Sequence, residues 1–88
     1  MSRNVRFSSR AWEDFWYWHS QDKKTLLRVY RLIEDTQRNG CQGLGKPEPL
    51  TGNLSGYWSK RIDEANRLVF RIVDGVIEIY QCRGHYES

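Results

Sequence analysis

A chain of 88 residues with 39% hydrophobic and 14% aromatic side chains is one domain, large enough for a single core without metal or disulfide staples. A mean hydropathy of −0.78, with no apolar run near the ~20 residues that cross a bilayer, excludes a membrane-spanning chain. Fourteen Lys and Arg against eleven Asp and Glu leave a net charge of +3, which permits an anionic partner such as nucleic acid without demanding one.

The opening "MSRNVRFSSR" has no apolar signal-peptide core, so a cytoplasmic location is expected. "NVRF" alternates and suits a first strand, after which Ser8 or Ser9 can cap a helix. Trp12, Phe15, Trp16 and His19 recur at i, i+3, i+4 and i+7, a stripe expected to pack into the core. Asp22 reads as the cap of a second helix with Leu26, Val29, Tyr30 and Ile33 on its apolar face. "RNG" at 38–40 stops it. The short gap between the two helices makes them an antiparallel hairpin.

Residues 40–56, "GCQGLGKPEPLTGNLSG", read as a long irregular loop, a type that is usually functional when it is not disordered. Glu48 stands between Pro47 and Pro49, the chain's two prolines. Each fixes its own φ and restricts the residue before it, so this carboxylate sits on stiff backbone. The period then becomes two. "YWSKRI" is strand-like, "DEAN" turns, "RLVFRIV" alternates, "DG" at 74–75 closes a hairpin and "VIEIYQCR" returns. The order β-α-α-β-β-β over residues 1–88 predicts a single α+β domain, an antiparallel sheet with both helices on one face. Leu68, Phe70 and Ile72 should meet the helices, and Arg67 should lie on the open face close to Arg61. Trp58 reads as core. Arg71 and Arg83 read equally well as solvated strand residues or as phosphate contacts.

His85 and Tyr86 follow the last strand, and histidine has the ordinary pKa nearest neutrality. One stiff glutamate, two arginines on an open face and a His-Tyr pair make an acid/base set with a phosphate clamp. RNA carries its own nucleophile, the 2′-OH, so its cleavage needs a base, an acid and cations for the charged phosphorane. No cofactor is implied. Cys41 and Cys82 are far apart, and with two distant histidines they compose neither a disulfide framework nor a zinc site; two reduced thiols are expected, Cys82 in packing.

"WEDFWYW", "LIEDT", "GKPEPL", "NLSGYWSKRI", "NRLVF" and "CRGHY" together resemble the YoeB (Txe/YoeB) toxins of bacterial type II toxin–antitoxin modules, from about Phe7 to Tyr86. The resemblance implies a RelE-like fold related to microbial ribonucleases. It implies an endoribonuclease, an mRNA interferase that cuts mRNA in the ribosomal A site, a homodimer, and a YefM-like antitoxin. It places the catalytic set on Glu48, Arg67, His85 and Tyr86, and phosphate binding on Arg61 and Lys46. The alternatives are a non-enzymatic ParE-like toxin, which lacks the acid/base set, or a degenerate module that only binds an antitoxin. Thr51 stands where a basic residue is usual in the family and Ala65 where an acidic one is. Glu87 and Ser88 extend past the tyrosine, and the extra carboxylate is expected either to favour the protonated form of His85 or to crowd the substrate, with activity surviving.

Overall fold

The computed structural model describes residues 2–86; Glu87, expected to act on His85 or to crowd the substrate, lies outside them, as does Ser88. Strand β1 (Asn4–Phe7) hands over to α1 (Ser9–Gln21) at Ser8, whose Oγ accepts the Ala11 N–H at 3.0 Å, one of the donors that a helix start leaves unpartnered. A single residue separates α1 from α2 (Lys23–Asn39). The Asp22 N–H donates to the Trp18 carbonyl, and its carboxylate accepts from the Thr25 hydroxyl and from the Lys24 and Thr25 N–H groups. The Thr25 hydroxyl, foremost among these, holds that carboxyl below its ordinary value of 3.8.

The helical hairpin covers one face of a five-stranded sheet in the order β1-β5-β4-β3-β2, where β2 is Glu48–Pro49, β3 Trp58–Arg61, β4 Arg67–Val73 and β5 Val76–Gln81. The expected α+β order holds, with two additions inside the stretch read as irregular: the edge strand β2 and a 3₁₀ turn at Gly52–Leu54. The sheet is mixed rather than wholly antiparallel. β3, β4 and β5 alternate in direction, but β1 runs parallel to β5, with Asn4 opposite Val76 and Phe7 opposite Ile79. The helices carry the chain across the sheet before it returns, strand by strand, to the edge where it began.

Leu68 and Phe70 face the helices as the alternation predicts, fully buried with Ile77, Ile79, Val29 and Leu32; Ile72 is half-buried, and Trp58 packs half-buried against the same core. Burying a Phe or Leu side chain contributes about 1.5–3 kcal/mol. On the opposite face Val69 joins Leu50 and Leu54 in a smaller cluster, with Tyr57 and Tyr86 packed on it.

Helix α1 presents a different face from the one expected. Trp12 and Trp16 are 49% and 50% exposed, His19 is exposed and Phe15 half-buried. Ala11, Asp14 and Trp18 are buried in their place. That face meets the end of β5, where Trp18 Nε1 donates to the Cys82 carbonyl at 2.8 Å and Asp14 Oδ2 accepts the Cys82 N–H at 3.1 Å. Both polar side chains are therefore satisfied on burial. The outer aromatics pack on one another, Trp12 stacked on Phe15 with ring centres 6.1 Å apart. In α2, Tyr30 points to solvent and Leu32 takes the core position. Cys41 and Cys82 are free thiols, and burial pushes Cys82 up to about 12.

Candidate active site

Glu48 is reached through a loop fastened from below by a buried lysine. The Lys60 side chain is fully buried. Its Nζ donates to the carbonyls of Gln42 (2.8 Å) and Gly40 (3.1 Å), to Thr36 Oγ1 (2.9 Å) and to Asp35 Oδ2 (3.1 Å). Asp35 also accepts the Leu44 N–H at 2.9 Å and the Asn39 amide at 2.7 Å. Burial alone would raise the Asp35 carboxyl, but these donors and Lys60 hold it below its ordinary 3.8. One ammonium thus ties the end of α2 and the loop after it to β3.

The loop then presses on the sheet. The Gly45 carbonyl accepts the Arg61 N–H at 2.6 Å. A Cβ at Gly45 would lie 2.9 Å from Leu32 Cδ2 and from Lys60 Cβ, and φ is +86°, so both the space and the backbone require glycine. Lys46 follows with φ +49°, a left-handed conformation uncommon outside glycine and one that clusters at functional sites. Glu48 pairs with Ser59 and Pro49 with Trp58. An edge strand tolerates Pro49 because no neighbour needs its missing N–H. Glu48 is therefore fixed by pairing as well as by its prolines.

The other wall is the chain's last segment. The Arg67 N–H donates to the Gly84 carbonyl (3.0 Å) and the Gly84 N–H to Asn66 Oδ1 (2.7 Å). The buried Gln81 amide donates to the carbonyls of Arg83, Gly84 and His85 at 3.2–3.3 Å. Arg67 Nη1 donates to the Asp63, Glu64 and Asn66 carbonyls, so its guanidinium is anchored on the turn. That turn orders Arg67 without an acidic side chain at Ala65.

Between these walls lies a pocket of about 200 Å³ lined by Lys46, Glu48, Ser59, Arg61, Arg67, His85 and Tyr86. All six residues singled out in the sequence line it, joined by the buried Ser59. Tyr86 donates its hydroxyl to Glu48 Oε1 at 2.8 Å, and the His85 and Tyr86 rings lie 5.4 Å apart with a 33° tilt. The bond to Glu48, then burial, raises the Tyr86 phenol above its ordinary 10, so it is a neutral donor at physiological pH.

Arg71 and Arg83 lie outside this pocket. Arg83 stacks on Tyr17, its guanidinium 3.6 Å from the ring centre. Arg71 pairs with Glu78 at 2.7 Å. Thr51 is exposed at the start of the 3₁₀ turn. Sequence reasoning missed Ser59, Lys60, Asn66 and Gln81; the only signal for Ser59 was its alternation with Arg61 on β3. Among the described residues no three His, Cys, Asp or Glu side chains are placed to share a metal ion, and no helix is long and apolar enough to cross a membrane.

A family model described as the YoeB-like toxin of bacterial type II toxin–antitoxin systems matches residues 7–86. Toxin YoeB of Mycobacterium bovis is 51% identical over 84 residues, 96% of this chain and 99% of that one. The YoeB–YefM complex from Staphylococcus aureus contains a chain 40% identical with a TM-score of 0.89, covering 98% of this chain and 100% of that one. The YoeB dimer from Staphylococcus aureus matches at 41% identity and a TM-score of 0.90, with the same coverage.

Proposed function

This chain belongs to the YoeB-like toxins of bacterial type II toxin–antitoxin systems, and we propose that it is a ribosome-dependent mRNA interferase that cuts mRNA in the ribosomal A site by general acid–base catalysis. The observation that carries this reading is the convergence of Glu48, His85 and two arginines on one small pocket, with Tyr86 bonded to the glutamate. Glu48 accepts the proton of the 2′-OH on Oε2 while the Tyr86 hydroxyl steadies Oε1. The 2′-oxygen attacks the adjacent phosphorus. Arg67, anchored through Nη1, and Arg61 offset the charge of the phosphorane, and Lys46 holds the neighbouring phosphate. His85 protonates the departing 5′-oxygen. Tyr86 is thus a positioning residue for the base, rather than for the acid or the phosphate. A base and an acid each contribute typically ~10²–10⁴-fold, and a preorganised charge on the order of 10²–10³-fold.

The test is ribosome-bound mRNA with 2′-deoxy at the cleaved nucleotide. It should be inert, and normal RNA should yield a 2′,3′-cyclic phosphate and a 5′-hydroxyl. Cleavage of the 2′-deoxy target at the normal rate would sink the mechanism.

Two partners follow from the relatives. A YefM-like antitoxin should neutralise the toxin by laying an acidic segment over Arg61 and Arg67, an attraction that weakens with salt. A homodimer is supported by the exposed Trp12, Trp16, Leu27 and Tyr30, an apolar surface of the kind that self-association buries.

A further inference from the structure

A second hollow, of about 190 Å³, lies on the open face of the sheet and shares no lining residue with the pocket above. Arg6, Arg71, Glu78 and Tyr80 converge on it from β1, β4 and β5, joined by Tyr57 from just before β3. The register explains the convergence: Arg6 and Arg71 both stand opposite Glu78, on either side of β5.

We propose that this hollow binds the base of an unpaired nucleotide flanking the scissile phosphate, a reading that rests on the nuclease function proposed above. Its walls are flat and held in place. The Tyr57 and Tyr80 ring centres are 5.7 Å apart, and the Arg71 guanidinium lies 5.1 Å from the centre of the Tyr57 ring. Glu78 fixes both arginines, accepting Arg71 Nε on Oε1 and Arg6 Nη1 on Oε2, each at 2.7 Å. Aromatic rings and guanidinium planes are the surfaces on which proteins stack unpaired bases, and the guanidinium N–H groups beyond Glu78 suit a phosphate. Glu78 at the centre disfavours an acidic peptide, whereas a base meets the rings with a neutral face. Tyr57 and Tyr86 pack on one cluster, Leu50, Leu54 and Val69, so the hollow adjoins the pocket where a strand held by Arg61 and Arg67 would continue.

The test walks a single abasic nucleotide through the positions flanking the cleaved bond of ribosome-bound mRNA. Wild-type protein should lose about tenfold in cleavage at one flanking position, from the loss of one base–aromatic stack. Tyr80→Ala should lose about tenfold on intact RNA and nothing further at that abasic position, and Tyr80→Phe should behave as wild type. Tyr80 is 38% exposed, and a thermal melt checks that the variants fold. Cleavage of intact RNA by Tyr80→Ala within about twofold of wild type, with or without a loss of antitoxin affinity, overturns the proposal and leaves the nuclease reading standing. If wild-type protein cuts no RNA, the nuclease reading fails. The affinity of a fluorescein-labelled single-stranded RNA then decides for the hollow, and equal binding by wild type and Tyr80→Ala overturns it.

Discussion

Replacing Lys60 by Met keeps the methylene stem and deletes the ammonium. That ammonium has three protons and four acceptors within 3.1 Å, so at least one proton is shared. Its loss strands the Gly40 and Gln42 carbonyls, whereas the Thr36 hydroxyl keeps the bond it donates to the Leu32 carbonyl at 2.7 Å. Asp35 loses one of three partners but keeps the Leu44 N–H and the Asn39 amide. Removing one member of a buried ion pair costs about 3–5 kcal/mol, mostly because the other charge is left uncompensated. Asp35 retains two donors, which places the expected cost near the lower end, about 3 kcal/mol. At about 4–8 °C per kcal/mol for a domain of this size, Tm should fall by roughly 12–24 °C. Far-UV circular dichroism at fixed protein concentration measures it, since a dimer makes Tm concentration-dependent. Adding Asp35→Asn to Lys60→Met should cost less than the sum of the two single changes, because the pair shares one interaction. A Lys60→Met protein within about 0.5 kcal/mol of wild type, the range of ordinary surface changes, would refute the claim that this amine fastens the loop carrying Lys46 and Glu48.

Tyr86→Phe removes the hydroxyl bonded to Glu48 and keeps the ring, so kcat should fall about tenfold while Tm changes little; an unchanged kcat in single-turnover cleavage removes Tyr86 from the mechanism. The Asp35 carboxyl is held below its ordinary 3.8, so its stabilising contribution is complete above that value and is lost as pH falls through its lower folded value. Asp35→Asn should therefore flatten the acid limb of the stability curve below pH ~4, and an identical limb contradicts the assignment. Light scattering at micromolar concentration should give twice the 10.5 kDa chain mass; a clean monomer mass refutes the dimer. Protein stripped of metal should cut ribosome-bound mRNA as fast as untreated protein, and strict dependence on added zinc refutes metal-independent chemistry.

The helix caps were legible because capping depends on local side chains: Ser8 and Asp22 do what their positions announce. The β4–β5 hairpin was legible because alternation and Asp74-Gly75 agree. β2 was not, since two residues containing a proline carry no periodicity and only pairing with Ser59 and Trp58 makes them a strand. The direction of β1 depends on where the helical hairpin delivers the chain, which no local pattern encodes. The α1 stripe misled because hydrophobicity outweighed hydrogen bonding: Trp18 and Asp14 are buried by their bonds to Cys82, and the apolar Trp12 and Trp16 stay outside. Lys60 was invisible for the converse reason. A lysine reads as surface until the acceptors that surround it are assembled from α2 and the loop. The six candidate residues stand out in the sequence because their chemistry and the family motifs select the same positions, and they line one pocket; Gln81 and Asn66, which support it, show themselves only through hydrogen bonds to the last segment.

The division of labour between Glu48 and His85 is tested most directly with ribosome-bound mRNA whose scissile linkage is a 5′-phosphorothiolate, a leaving group that needs no proton. Glu48→Gln and His85→Ala should each lose ~10²–10⁴-fold on normal RNA. On the phosphorothiolate, His85→Ala should recover to near the wild-type rate while Glu48→Gln stays slow. Rescue of Glu48→Gln instead would reverse the acid and the base, and full cleavage of normal RNA by both variants would place the chemistry elsewhere.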